Sequence, residues 1–140
     1  MFQELEDGVA VSPQITADDV RAAASLGYGV IVCNRPDGEE PGQPSAAEIE
    51  AIAHEVGLSF LPLPFAANGP SPDQIDAMAA ALDAPGPDGQ GKLLAYCRSG
   101  TRSATLWALA RARQGRDAGE LIDGAKAAGY DLEGLRSRLG

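Results

Sequence analysis

The residues best equipped for chemistry are Cys97-Arg98-Ser99-Gly100-Thr101-Arg102-Ser103. An apolar run of strand length, Leu93-Leu94-Ala95-Tyr96, leads into them. Ala104, Leu106, Trp107, Leu109 and Ala110 follow at helical spacing. A loop between a strand's carboxyl end and a helix's amino end carries backbone N–H groups that lack intrahelical partners. They converge on one point, to which the helix dipole adds partial positive charge. Such a loop is an anion site. With a cysteine at its mouth, the first anion it favours is a thiolate. A free thiol titrates at roughly 8.5, and a helix N-terminus with nearby arginine brings such a group to about 3.5–7.5. Arg98 and Arg102 supply the arginine, and Gly100 allows the tight turn that presents the amides. Cys97 therefore reads as a nucleophile rather than a packing cysteine, with Arg102 beside it in catalysis. Arg98, Ser99, Gly100, Thr101 and Ser103 form the expected anion-binding set.

The elements that must position this loop follow from local pattern. Phe2–Leu5 and Val9–Val11 read as two short strands joined by Glu6-Asp7-Gly8. Thr16 caps a helix of about ten residues that stops at Gly27. Tyr28–Cys33 is a continuous apolar run, as expected of a strand buried on both faces. A long polar loop, Asn34–Gly42, leads to Ser45-Ala46-Ala47-Glu48, a capping box that opens a helix through Val56. Leu58–Leu63 gives another strand, and Ser71-Pro72 opens a helix to about Ala84. Pro85–Gly91 is a turn-rich link into the cysteine strand. Asp117 starts a further helical segment, which Gly129-Tyr130-Asp131-Leu132 breaks before a last short one, Leu135–Leu139. Strands alternating with helices predict a three-layer α/β/α domain over residues 1–140, with a mostly parallel sheet of four or five strands. Ligands in such sheets bind beyond the strand carboxyl ends. Cys97, Asn34-Arg35 and the loop after Leu63 are thus expected on one rim.

Composition narrows the function. The chain has 140 residues and a net charge of −9, which argues against nucleic acid or an anionic membrane as partner. The charge is uneven, −13 over residues 1–91 against +4 over residues 92–140. The positive part starts at the cysteine loop and runs through Arg111, Arg113 and Arg116, a distribution that suits a small anionic substrate. Two cysteines and no apolar run of membrane-spanning length point to a reducing compartment, the cytoplasm by default. Two cysteines and the single histidine, His54, are too scattered for a zinc site, and no metal or cofactor is expected. His54 lies near the end of the second predicted helix, a favourable surface position for a histidine. Cys33 closes an apolar strand and reads as packing, and Trp107 as core. Arg35, followed by Pro36, is placed to contact substrate at the rim or to pair with an acid among residues 37–55.

Three stretches carry a resemblance. The run Leu94–Trp107, the amino-terminal Val11-Ser12-Pro13-Gln14-Ile15 and the loop Asn34–Pro44 resemble the phosphatase-like domain of beta-lactamase-hydrolase-like proteins. Ala128-Gly129-Tyr130-Asp131-Leu132 fits as well. The resemblance implies a cysteine-phosphatase fold like that of the dual-specificity phosphatases. Members of the family have been labelled both phosphatases and sulfurtransferases.

The residues favour sulfur transfer. Cysteine phosphatases use Cys-x5-Arg, commonly after a histidine, and an aspartate on another loop protonates the leaving oxygen. Here the spacing is Cys97-x4-Arg102, Tyr96 precedes the cysteine, and the one nearby carboxylate, Asp73, sits in a helix's first turn. Ser103 does follow the arginine, as in phosphatases, where that hydroxyl helps to steady the thiolate. Cys-Arg-Ser-Gly-Thr-Arg resembles the rhodanese loop, which forms a persulfide from thiosulfate or a thiol persulfide and needs no general acid. Phosphomonoester hydrolysis through a phosphocysteine is the alternative. A non-catalytic anion-binding or reactive-sulfur-sensing loop is the third.

Overall fold

The computed structural model describes residues 2–83 and 91–140, so most of the expected Pro85–Gly91 link and the helix end at Ala84 lie outside it. Strand β1 (Gln3–Glu6) turns through Asp7-Gly8 into antiparallel β2 (Val9–Ser12). Then follow α1 (Ala17–Ser25), β3 (Tyr28–Cys33), α2 (Ala46–Glu55), β4 (Ser59–Pro62) and α3 (Pro72–Asp83). Strand β5 (Lys92–Tyr96) leads through the cysteine loop to α4 (Thr101–Arg113). The chain closes with α5 (Ala118–Ala127), a 3-10 turn (Glu133–Leu135) and α6 (Arg136–Leu139).

The sheet order is β1-β2-β5-β3-β4, with all pairs parallel except the β1–β2 hairpin. Strand β5 lies at the centre, paired with β2 on one side and β3 on the other. Alternate side chains of a strand point to opposite faces. Leu94 and Tyr96 accordingly pack with Ala10, Ile15 and Ile31 beneath α1 and α2. Leu93 and Ala95 pack with Val11, Val32, Met78, Leu106 and Leu121 beneath α3 to α6. This is the expected three-layer arrangement, and Trp107 is core, as read.

The helix starts form for the local reasons expected. Thr16 and Ser45 each complete a capping box, and Asp117 caps α5 by accepting from the Glu120 amide. Helix α4 is built differently. Its N-cap is Gly100, which has φ +99° and no side chain to cap with. Only the Thr101 amide is reached by a neighbouring hydroxyl, Ser99 Oγ at 3.4 Å. Among the described residues, no helix is long and apolar enough to cross a membrane, and no three His, Cys, Asp or Glu side chains cluster as a metal site.

Because both faces of β5 are covered, Leu93→Ala and Leu94→Ala are each expected to cost about 2–5 kcal/mol in urea unfolding. A mild effect from either would mean that its layer is not closed.

Candidate active site

Three loops leave the carboxyl ends of β3, β4 and β5, and buried polar contacts tie them together. Asn34, wholly buried, donates its backbone N–H to Tyr96 O at 2.9 Å and its side-chain amide to Leu63 O at 3.0 Å. Its Oδ1 accepts from Ser103 Oγ at 2.8 Å. The expected common rim therefore exists, and it brings Cys97, Asn34 and the segment after β4 together.

Cys97 sits 1% exposed at the end of β5. The loop turns back at Gly100, whose N–H points at Cys97 Sγ from 3.0 Å. Arg102, in the first turn of α4, reaches across to the β3 loop. Its Nη1 and Nη2 donate to the two Glu39 carboxylate oxygens at 2.8 and 2.7 Å, and Nη1 also donates to Phe65 O at 3.0 Å. A guanidinium has five N–H donors. Among the described residues, these three bonds leave Nε–H and one Nη2–H, a side edge of two donors of the geometry that forks two anion oxygens. The Glu39 carboxylate holds Arg102 above its ordinary value, with burial opposing and Cys97 close enough to contribute. The reciprocal effect is large. Hydrogen bonding to Arg102 above all, with Arg35 adding to it against the cost of burial, holds Glu39 down at about 2.

The other expected site residues fall in different places. Ser99 and Thr101 are exposed on the loop, their hydroxyls 3.1 Å apart. Arg98 points to solvent with Glu40 at 3.9 Å. The Ser103 hydroxyl donates to Asn34 and not to Cys97 Sγ. Arg35 takes the ion-pair alternative. It is 1% exposed and donates to Glu39, Gln14 and Glu40, each at 2.9 Å, so it organises the β3 loop. Its backbone carbonyl accepts a weak bond from the Cys33 thiol at 3.4 Å. Cys33 packs on the α1/α2 face, and burial pushes its thiol up. His54 and Asp73 are exposed on α2 and α3.

The charge asymmetry needs correction. Arg111 and Arg116 converge on Glu6, Trp107 donates to the same carboxylate, and Arg113 pairs with Asp76. Burial pushes Glu6 up, but Arg111, Arg116 and Trp107 outweigh it and hold the carboxyl below its ordinary range. Arg111 and Arg113 lie at the carboxyl end of α4 and Arg116 just beyond it, each paired with a carboxylate away from the cysteine loop.

Three participants escaped the sequence reading. Asn34 was legible only as a rim position, and Glu39 as one acid among several in a polar loop. Tyr130, read as a helix breaker, donates its hydroxyl to Ser99 O at 3.1 Å from a segment 31 residues away. All three lie in stretches that carry the family resemblance, but nothing local to them assigns a contact with the cysteine loop.

Comparison with known proteins agrees with this geometry. The family model described as the phosphatase-like domain of beta-lactamase hydrolase-like proteins matches residues 1–114. The chain belongs to that family. A beta-lactamase hydrolase-like protein of Xylella fastidiosa strain Temecula1 is 32% identical over 130 residues, which are 92% of this chain and 29% of that protein. The chain thus spans under a third of the length of the curated relatives it matches. The crystal structure of a candidate phosphatase from Neisseria meningitidis Z2491 is 36% identical, with TM-score 0.82, covering 98% of this chain and 94% of the other. Kinase-associated phosphatase, solved with its catalytic-site cysteine replaced by serine, shares the fold at 14% identity. Its TM-score is 0.71, with coverage of 98% and 88%.

These findings overturn the expectation of a sulfurtransferase: the family is described as a phosphatase-like domain, and the Neisseria relative as a candidate phosphatase. The error has a structural reason. The spacing Cys-x4-Arg does not decide the reaction; it fixes only where the arginine enters α4. Arg102 still folds back to the rim with a two-donor edge free.

A carboxyl held below its ordinary value of 4.5, as Glu39 is, contributes stability that is complete above that value and lost as pH falls toward 2. Glu39→Gln is expected to cost about 1–2 kcal/mol at neutral pH, the partial exposure keeping it low. In urea melts the difference from wild type should shrink steadily below pH 4.5 and vanish near pH 2. A pH-independent difference would assign the loss to packing.

Proposed function

We propose that this domain hydrolyses phosphomonoesters through a phosphocysteine on Cys97. One observation carries the reading: the buried Sγ faces the Gly100 amide while the neighbouring Arg102 keeps an Nε/Nη2 edge free for two more oxygens. Loop amides and that edge would take the three non-bridging oxygens of a phosphoryl group, where charge is spread in the transition state. Attack by Sγ forms an S–P bond as the P–O bond to the leaving group breaks, and the electron pair departs with that oxygen. Water then attacks phosphorus and the S–P bond breaks, its electron pair returning to sulfur. The thiolate is regenerated, and inorganic phosphate leaves carrying the water's protons, one of which it can pass to solvent. Arg98, Ser99, Thr101 and Ser103 belong to the loop that would surround the phosphoryl group. The substrate class is a small anionic phosphoester.

The leaving oxygen also needs a proton unless it departs as a stable anion. Asp73, the sequence candidate for that task, is exposed in the first turn of α3. The carboxylate found at the rim, Glu39, stays ionised, because its arginine partners hold it at about 2. Substrates with acidic leaving groups are therefore the ones this arrangement suits, and aryl phosphates are the natural probe.

The test is hydrolysis of a series of aryl phosphates. Wild type should show kcat/KM rising steeply as the leaving phenol becomes more acidic. Cys97→Ser should abolish turnover. Arg102→Lys, which keeps charge but loses the fork, should lower kcat/KM by about 10²–10³. Brief exposure to substrate followed by acid quench should trap phosphate on the Cys97 peptide in mass spectrometry. Turnover that persists in Cys97→Ser would sink the proposal.

A further inference from the structure

Tyr130 lies sixteen residues beyond the part of the chain that the family model matches, yet it reaches the cysteine loop. Its hydroxyl donates to the carbonyl of Ser99 at 3.1 Å. That carbonyl and the Gly100 N–H belong to one peptide unit. In a planar trans peptide the two point in opposite directions, and the structure has no cis peptide among its described residues. Gly100 N–H is the group 3.0 Å from Cys97 Sγ. A single rigid plane is therefore gripped on one edge by Tyr130 and offers its other edge to the nucleophile.

Gly100 bears the mark of the same arrangement. Its φ of +99° is one that L side chains rarely adopt, and a Cβ built there would stand 2.1 Å from the Tyr130 hydroxyl oxygen and 2.8 Å from Tyr130 Cζ. The ring occupies the space a side chain would need. The Tyr130 ring and any side chain at position 100 therefore exclude one another.

We infer that Tyr130 is a positioning residue for Cys97: by holding the Ser99 carbonyl it orients the Gly100 amide at the thiolate, and so keeps the loop in its anion-binding form. Burial, and then the charge at Cys97, push the Tyr130 hydroxyl up, so it remains a donor through neutral pH. The inference deepens the hydrolase reading, which explains why a thiolate must be held. Its primary readout nevertheless needs no phosphoester turnover.

Several polar and titratable groups stand around Cys97. They are the Gly100 amide on the loop, Arg102 from α4 with Glu39 behind it, Cys33 from β3, and Tyr130 from the segment after α5. Tyr130→Phe removes the hydroxyl alone and keeps the ring, which also walls a cavity of about 410 Å³ beside Lys126 and Leu132.

The experiment follows alkylation of the full chain by iodoacetamide across pH, scored on the Cys97 peptide by mass spectrometry. In Tyr130→Phe the midpoint should rise by about half to one pH unit, the worth of one oriented hydrogen bond. Gly100→Ala, in which the new methyl group displaces the tyrosine, should raise it as well. Adding Tyr130→Phe to Gly100→Ala should then produce no further shift. A folded Tyr130→Phe with the wild-type midpoint would overturn the inference. So would a wild-type midpoint in Gly100→Ala, or fully additive shifts in the double variant. With aryl phosphate as substrate, Tyr130→Phe should lose about three- to tenfold in kcat/KM below the midpoint and recover at higher pH. If wild type hydrolyses no phosphoester, the hydrolase reading fails while the alkylation curves still decide the role of Tyr130.

Discussion

A buried amide must find partners, and Asn34 satisfies that demand by joining three loops. An unmatched side-chain amide in an apolar setting costs about 1–3 kcal/mol by mutational measures. Asn34 has no exposure at all, so its partners are obligatory. They come from the end of β5, the end of β4 and the first turn of α4. Parallel strands alone bring their carboxyl ends to the same side of a sheet. They do not fix the heights and angles of the loops that follow. The hydrogen bonds of Asn34 supply that constraint, and the distance from Cys97 to the arginine edge depends on it.

The ionic contacts divide the molecule along α4. At its amino end, Glu39 binds Arg102 and Arg35 together, so one carboxylate orients the arginine meant for an anion and also anchors its own loop through a buried one. At its carboxyl end, Glu6 gathers Arg111, Arg116 and the Trp107 indole, pinning the edge hairpin to the helix. The two clusters share a chemistry but differ in outcome. Glu39 engages the terminal nitrogens of Arg102 and leaves the Nε side open, whereas the Glu6 arginines act as clamps between elements. An orienting carboxylate costs Arg102 part of its positive field. It returns a planar fork held in one attitude before any oxygen arrives, which is the preorganisation that transition-state stabilisation requires.

Local signals accounted for most of the fold. The Tyr28–Cys33 run, the capping boxes at Thr16 and Ser45, and the strand–loop–helix around Cys97 all appear where pattern placed them. Each is decided by neighbours within a few residues. The site was legible to the same depth. Cys97, Gly100 and Arg102 are near in sequence and could be read together, while Glu39, Asn34 and Tyr130 meet them only through the fold. Arg35 shows the limit well. Its two possible fates, substrate contact or ion pair, differ by where Glu39 and Glu40 turn, and a polar loop of that length does not announce its path. The charge asymmetry misled for a related reason: sign along the chain says nothing about pairing across it.

The choice between sulfur and phosphorus was the deepest failure of local reading, and it is instructive about loops of this kind. A loop that stabilises one anion by converging amides is indifferent to the central atom. What separates the chemistries is the number and direction of the donors, and these directions depend on side chains that the loop does not contain. In this molecule Glu39 fixes the Arg102 guanidinium, and Tyr130 bonds the peptide whose other edge, the Gly100 amide, lies against Cys97. Glu39 precedes the loop by 58 residues and Tyr130 follows it by 27 beyond Ser103. A motif of seven residues can therefore identify the nucleophile while leaving the reaction to be decided elsewhere. The carboxyl-terminal segment, which looks like a tail added to an α/β core, touches the cysteine loop directly through the Tyr130 hydroxyl.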